Sequence, residues 1–290
     1  MAQEDSAQED SAHADSAHAV CAIRVEHGVA WVVIDHPPKH LVDGGFMGAI
    51  VGVLDRAEVD DTIRVLVFES ADPDFFLMHG DVEGIMRMRK NPEPATEPNP
   101  AEAIFERVRR FPKPTIAMID GQARGGGSEF LCAVDMRFAG PRTVLGQPEV
   151  AMGIVPGAGG TQLLARLVGR ARALEIILGG GDIMADDAAA MGYVNRVLPS
   201  AELRPFVTEL ANRIAAWPPH AVQAAKRAID AGIYATEPQY VIETNEFRAL
   251  VNAQLHLAPM QRFLDAGGQT REGETTRMDA IIDAMRDPGV

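Results

Sequence analysis

No stretch of eighteen or more apolar residues occurs in this 290-residue chain, so the sequence offers no candidate membrane-spanning helix. The first residues lack both a basic start leading into an apolar run and an arginine-rich transit pattern, which makes the cytoplasm the expected compartment. Cysteine is scarce. Only Cys21 and Cys132 are present, without paired ligand spacing, which excludes a disulfide framework and argues against a zinc site or any other metal. Cys132, inside "FLCAV", reads as a small buried apolar residue. Basic residues are in deficit, 27 Lys and Arg against 41 Asp and Glu, for a net charge of -14. Nucleic acid and anionic membrane, which select for basic surfaces, are therefore not expected partners.

What is present is the composition of a globular protein with a sizeable core, 47% hydrophobic and 23% charged. Residues 1–19 are a degenerate repeat of AQEDS and AHADS type that carries five of the acids and no Lys or Arg. This segment has almost nothing to bury and is expected to be a disordered tail outside the fold. "CAIRVEHGVAWVVIDH" reads as a hairpin turning at His27-Gly28. A helix over about 46–58, the strand "IRVLVFES" and a short helix after Asp81, an N-cap candidate, follow. The prolines of "NPEPATEPNP" impose a loop, after which come a helix near 101–111, the strand "PTIAMID" and short strands at "MRFAG" and "TVLGQ". From about Gly159 the pattern is helical, with one short strand at "YVNRVL". The expectation is an α/β core over 20–199 and a helical C-terminal region over 200–290.

"GQARGGGSEFLCAVDMRF", residues 121–138, sets three glycines between a strand and a helix. Glycine in a helix costs about 1 kcal/mol relative to alanine, so the run must serve the backbone. Two readings stand side by side: exposed amides at a helix start that receive an oxyanion, or tight packing of the turn against a neighbour. Neither G-x-x-x-x-G-K-[ST] nor G-x-S-x-G is present, so a phosphate-binding P-loop and a serine nucleophile elbow lack support. "PGAGG" at 156–160 reads more simply as a turn before a helix. Glu129 follows the glycines, and Glu149 stands 20 residues later beside an apolar segment. A carboxylate in apolar surroundings gains proton affinity and can move protons near neutral pH.

"GQARGGGSEF", "LGQPEVAMGIVPGAGGTQ" and "VGRARALEIILGGGDIMADDAAAMGYVNRVLP" together resemble the enoyl-CoA hydratase/isomerase (crotonase) superfamily, and "FFLMHGDVEGI" is similar to a further family segment. The resemblance spans roughly residues 21 to 235. It implies a crotonase-like spiral of ββα units with a helical C-terminal region, assembled as a homotrimer or dimer of trimers. It further implies an acyl-CoA thioester substrate, no cofactor, and an enolate held by two backbone amides, matched position by position to Met78 and Gly126. Glu129 and Glu149 match the hydratases' glutamates, with Glu129 as water base and Glu149 as proton donor. Phe76, His79, Gly80, Gly125, Pro156 and Gly157 fall on the substrate-binding segments. Hydration of a 2-enoyl-CoA is the expected reaction. Double-bond isomerisation, for which Glu149 alone can suffice, or another enolate reaction on a CoA thioester is the enzyme alternative, and acyl-CoA binding or scaffolding without turnover the alternative of another kind. His79 replaces a usual glycine, and Arg124 stands where a small or apolar residue is commoner. "QRFLDAGGQTREGE" replaces an ending that often supplies basic CoA contacts, leaving Lys39, Arg87, Arg89 and Lys90 as sources of positive charge.

Overall fold

The computed structural model describes residues 20–284 except 92, 234–237 and 255; the expected tail 1–19 lies outside the described residues. The chain opens with β1 (Cys21–Glu26) and β2 (Val29–Ile34), antiparallel from Cys21↔Ile34 to Glu26↔Val29. His27 and Gly28 both take positive φ, 51° and 80°, the combination that lets a two-residue turn follow the strand twist. Asp43 caps α1 (Gly44–Val59) by accepting from the Phe46 amide at 3.0 Å, and the helix buries Phe46, Ile50, Val53, Leu54 and Ala57 along one stripe.

Each later unit gives one strand to each of two sheets. β3 (Val65–Ser70) and β4 (Phe75–Leu77) precede α2 (Val82–Met86) and α3 (Pro100–Arg109). β5 (Thr115–Ile119) and β6 (Gln122–Arg124) precede α4 (Gly126–Ala133). β7 (Met136–Ala139) and β8 (Val144–Gly146) precede a one-turn 3-10 helix, Glu149–Met152, then α5 (Gly160–Val168) and α6 (Arg170–Gly179). β9 (Ile183–Met184), α7 (Ala185–Met191) and β10 (Arg196–Val197) complete the sheets. The large sheet runs β1-β2-β3-β5-β7-β10 and the small one β4-β6-β8-β9. Repetition of this unit winds the chain into a spiral of ββα turns.

The helices that follow are α8 (Ser200–Ala216), α9 (Pro219–Ile233), α10 (Pro238–Ala253), α11 (Leu257–Asp265), α12 (Arg271–Thr276) and α13 (Met278–Ala284). α8 lays Leu203, Val207, Ala211 and Ala215 on Trp31, Val65, Val67, Ile116 and Phe138. The opposite face of the large sheet packs into the main core around Phe68, Phe105 and Phe130. The central strands are thus covered on both faces, which is why β2 and β3 read as continuous apolar runs.

Three details differ from the sequence expectation. β6 stands between "PTIAMID" and the glycines, and β9 adds a strand beyond "YVNRVL"; two or three residues cannot display a period. Asp81 holds the N-cap position of α2, yet its side chain caps no helix amide and meets Gln269 Nε2 at 3.3 Å. The cap that does close fully is at α3, where Asn99 and Glu102 form a reciprocal box with Pro100 at the first helical position.

Candidate active site

The glycine run divides its work. Gly125 has φ 51° and ψ -125°, and a Cβ there would lie 2.7 Å from Glu149 Oε1 and 2.9 Å from the His79 Cβ. Gly127 serves packing: its Cβ would fall 1.8 Å from the Leu77 carbonyl oxygen. Between them Gly126 begins α4, and its Cβ position is 3.3 Å from the Gly80 nitrogen. The packing reading of the run holds at Gly127, while Gly126 is the position beside the Gly80 nitrogen on which the oxyanion reading bears.

Met78 requires a correction. Its amide donates to the His40 carbonyl at 2.7 Å, so it is committed to the backbone of the 40–42 segment. The pairing then shifts, with Val42 N donating to the His79 carbonyl at 3.0 Å in a parallel bridge to Gly80. In such a bridge Val42 supplies the bonded groups, which turns the amide of Gly80 to the other side, towards Gly126. The backbone nitrogen beside Gly126 at the helix start is thus that of Gly80, not that of Met78.

Around them lie two buried glutamates. Glu129, in the first turn of α4, is 4% exposed, and its Oε1 accepts from Ala158 N at 2.7 Å and Gly160 N at 2.9 Å. Burial, then the nearby charge of Glu149, push its pKa up to about 8, against the pull of those two amides. Glu149 begins the 3-10 turn, 6% exposed, with Oε1 against Gly125. A third carboxyl, Glu102, was not foreseen. It is fully buried, accepts from Thr244 Oγ1 and from Asn99 N, and is raised by burial to about 7. The "NPAE" box signals its capping role, but nothing local shows that it faces the Glu129 region.

These raised values set the sign of a pH effect. Between pH 4.5 and about 8 the unfolded chain has lost the Glu129 proton that the folded chain keeps, so this group's contribution to stability falls as pH rises through that window. Glu129→Gln removes the effect. Thermal melts at pH 5, 7 and 9 should show the variant gaining on the wild type as pH rises, and a difference constant with pH would refute the assignment.

Phe76 is 1% exposed and belongs to the main core. Pro156 packs on the Gly160 position; Gly157 offers its carbonyl to Asn99 Nδ2, and a Cβ there would meet the Phe247 ring at 2.8 Å. Arg124 is a buried structural bridge, with Nε and Nη2 on Asp182 at 2.6 and 2.7 Å and Nη1 on Gln122 Oε1 and the Glu274 carbonyl. His79 is 2% exposed, with Nδ1 at the Gly80 carbonyl and Nε2 at Glu274. Arg87, Arg89 and Lys90 are exposed just past α2, and Lys39 is half-buried.

A two-sheet ββα spiral with carboxylates around a glycine turn and paired amides defines the crotonase class. The family model described as "Enoyl-CoA hydratase/isomerase" matches residues 24–268. The chain is 34% identical over 209 residues to the short-chain-enoyl-CoA hydratase of Clostridium acetobutylicum, covering 72% of this chain and 80% of that one. It resembles a solved chain from Streptomyces avermitilis with TM-score 0.83 and 36% identity, covering 92% of this chain and 98% of that chain. An enoyl-CoA hydratase structure from Bacillus anthracis matches at TM-score 0.68 and 28% identity, over 85% and 96% of the two chains. The chain belongs to the enoyl-CoA hydratase/isomerase family.

Proposed function

We propose that this protein adds water across the 2,3 double bond of a 2-enoyl-CoA, giving the 3-hydroxyacyl-CoA. The observation that carries the reading is the meeting of two buried carboxylates, Glu129 and Glu149, at the turn that presents the Gly80 and Gly126 amides. The thioester oxygen would accept from both amides, which stabilise the enolate as water oxygen bonds to C3. Losing one such donor costs on the order of a hundred- to a thousand-fold in rate. One carboxylate takes the proton from water and the other delivers a proton to C2, so water is consumed and no electrons are exchanged. Burial and the charge of Glu149 raise the proton affinity of Glu129, so the pair can hold and pass on a proton near neutral pH. Glu129 as water base and Glu149 as proton donor is the narrower form of this proposal. No step calls for a metal or redox cofactor.

The test is loss of the conjugated-enoyl absorbance when purified protein meets short, long and branched 2-enoyl-CoAs, with the product gaining the mass of one water. Conversion of at least one of them is expected. Binding without conversion of any would overturn hydration and turn attention to double-bond isomerisation or to binding alone.

A further inference from the structure

The C-terminal stretch that replaces a basic CoA-contacting ending is instead tied to the loop carrying Gly80. Glu274 Oε1 meets His79 Nε2 at 2.7 Å and accepts from Gln269 N at 2.9 Å, and the two side chains of the pair are 2% and 1% exposed. His79 Nδ1 donates to the Gly80 carbonyl at 2.9 Å. A carbonyl cannot donate, so Nδ1 carries a proton, and a carboxylate on Nε2 then favours the doubly protonated ring. The imidazolium thus grips the same residue whose amide faces Gly126. Phe263 packs edge-on against the ring with centroids 5.5 Å apart, and Arg124 Nη1 donates to the Glu274 carbonyl at 3.2 Å.

Three further contacts, from Gln269 and Arg271, fasten the same segment. Gln269 Nε2 reaches Asp81, and Arg271 reaches Asp72 and Asp74 at 2.9 and 2.5 Å. The segment is shaped for the purpose: Gly267 has φ 105°, and a Cβ on Gly273 would lie 2.1 Å from the Gly267 carbonyl oxygen.

We propose that His79 and Glu274 are a positioning pair, through which the C-terminal segment aims the Gly80 amide at the thioester oxygen. The inference rests on the oxyanion reading above but not on hydration. The contact joins residues 195 apart in sequence, so it makes the oxyanion site depend on the end of the chain.

The test reads carbonyl polarisation apart from turnover. A chromophoric aryl-enoyl-CoA absorbs at longer wavelength when amides polarise its thioester oxygen, and its affinity is measured in the same titration. Wild type should bind it with a red shift. Glu274→Gln and His79→Gln, folded by circular dichroism, should bind within about threefold of wild type and lose most of the shift. Their kcat on a hydrated enoyl-CoA should fall on the order of a hundredfold, with little change in KM. Arg271→Ala, at the exposed end of the fastening, should fold and lose part of the shift. A full shift in either folded buried variant overturns the proposal; if neither folds, an unchanged shift in Arg271→Ala does so. A shifted wild type that hydrates nothing sinks the hydratase reading and leaves this one standing, whereas wild-type binding without a shift sinks the oxyanion reading and this proposal with it.

Discussion

Glu149→Gln and Glu129→Gln should each lower kcat for enoyl-CoA hydration by about a hundred- to ten-thousand-fold, the range expected when a positioned proton-transfer group is lost. The amide is close to isosteric with the carboxylate, so shape is retained while proton transfer is abolished. At Glu129 the substituted oxygen can still accept from Ala158 and Gly160, whose amides otherwise lose their acceptor. Folding and thioester affinity should therefore survive. Because one proton inventory serves both groups, the losses should not add: the double variant should be little slower than the slower single one. Rates measured alongside CoA-thioester affinities by calorimetry check this. A single variant keeping more than about a tenth of the wild-type rate would remove that carboxylate from the mechanism. If Glu129→Gln alone retained a double-bond shift, the chemistry would belong to Glu149 and the isomerase alternative would replace hydration.

How far the sequence disclosed this arrangement depended on whether the governing contact was local. The hairpin at His27-Gly28 was legible because a glycine, which tolerates positive φ, stands between two β-rich runs, and α3, Pro100–Arg109, because prolines break the chain just before its apolar spacing begins. Glu129 and Glu149 drew notice as candidates because one follows the glycine run by two residues and the other directly follows Pro148, each leading into an apolar stretch. The choice between Met78 and Gly80 was not, since it turns on a shift in pairing against His40 and Val42, decided by tertiary packing. Glu102 was hidden for a similar reason: its cap with Asn99 is local, but its burial against Thr244 joins α3 to a helix 142 residues further on. Glu274 offered no sequence signal at all, because a carboxylate on a short polar helix reads as a solvated residue until the fold buries it against His79. Arg124, standing where a small or apolar residue is commoner, is taken up by an internal ion pair with Asp182 that no neighbouring residue announces.

The third glycine of the run should prove the most costly to change. In an ordinary helix, glycine to alanine gains up to about 1 kcal/mol, and Gly52 in α1, exposed and with nothing within 4 Å of its Cβ position, should follow that rule. Gly127 is also helical, yet its Cβ would lie 1.8 Å from the Leu77 carbonyl oxygen, 2.5 Å from its carbon and 2.8 Å from the Met78 oxygen. Those atoms are backbone, and they cannot retreat cheaply: β4 is held to β6 by the pairs Phe75↔Gln122 and Leu77↔Ala123, and the Met78 amide is bonded to His40. Relief must come from moving α4 as a whole, which carries Glu129 and the Gly126 amide with it. Gly127→Ala should therefore destabilise by about 3 kcal/mol or more, at or beyond the upper end of ordinary overpacking. Gly126→Ala, whose nearest contacts are Val42 side-chain atoms at 3.2 Å, should cost far less stability but put a methyl 3.3 Å from the Gly80 nitrogen, where the thioester oxygen is to sit. Denaturant unfolding of the three variants, with hydration assays on those that fold, separates these effects. A Gly127→Ala protein as stable as wild type would mean that β4 yields, and that the turn is less tightly clamped than its geometry requires.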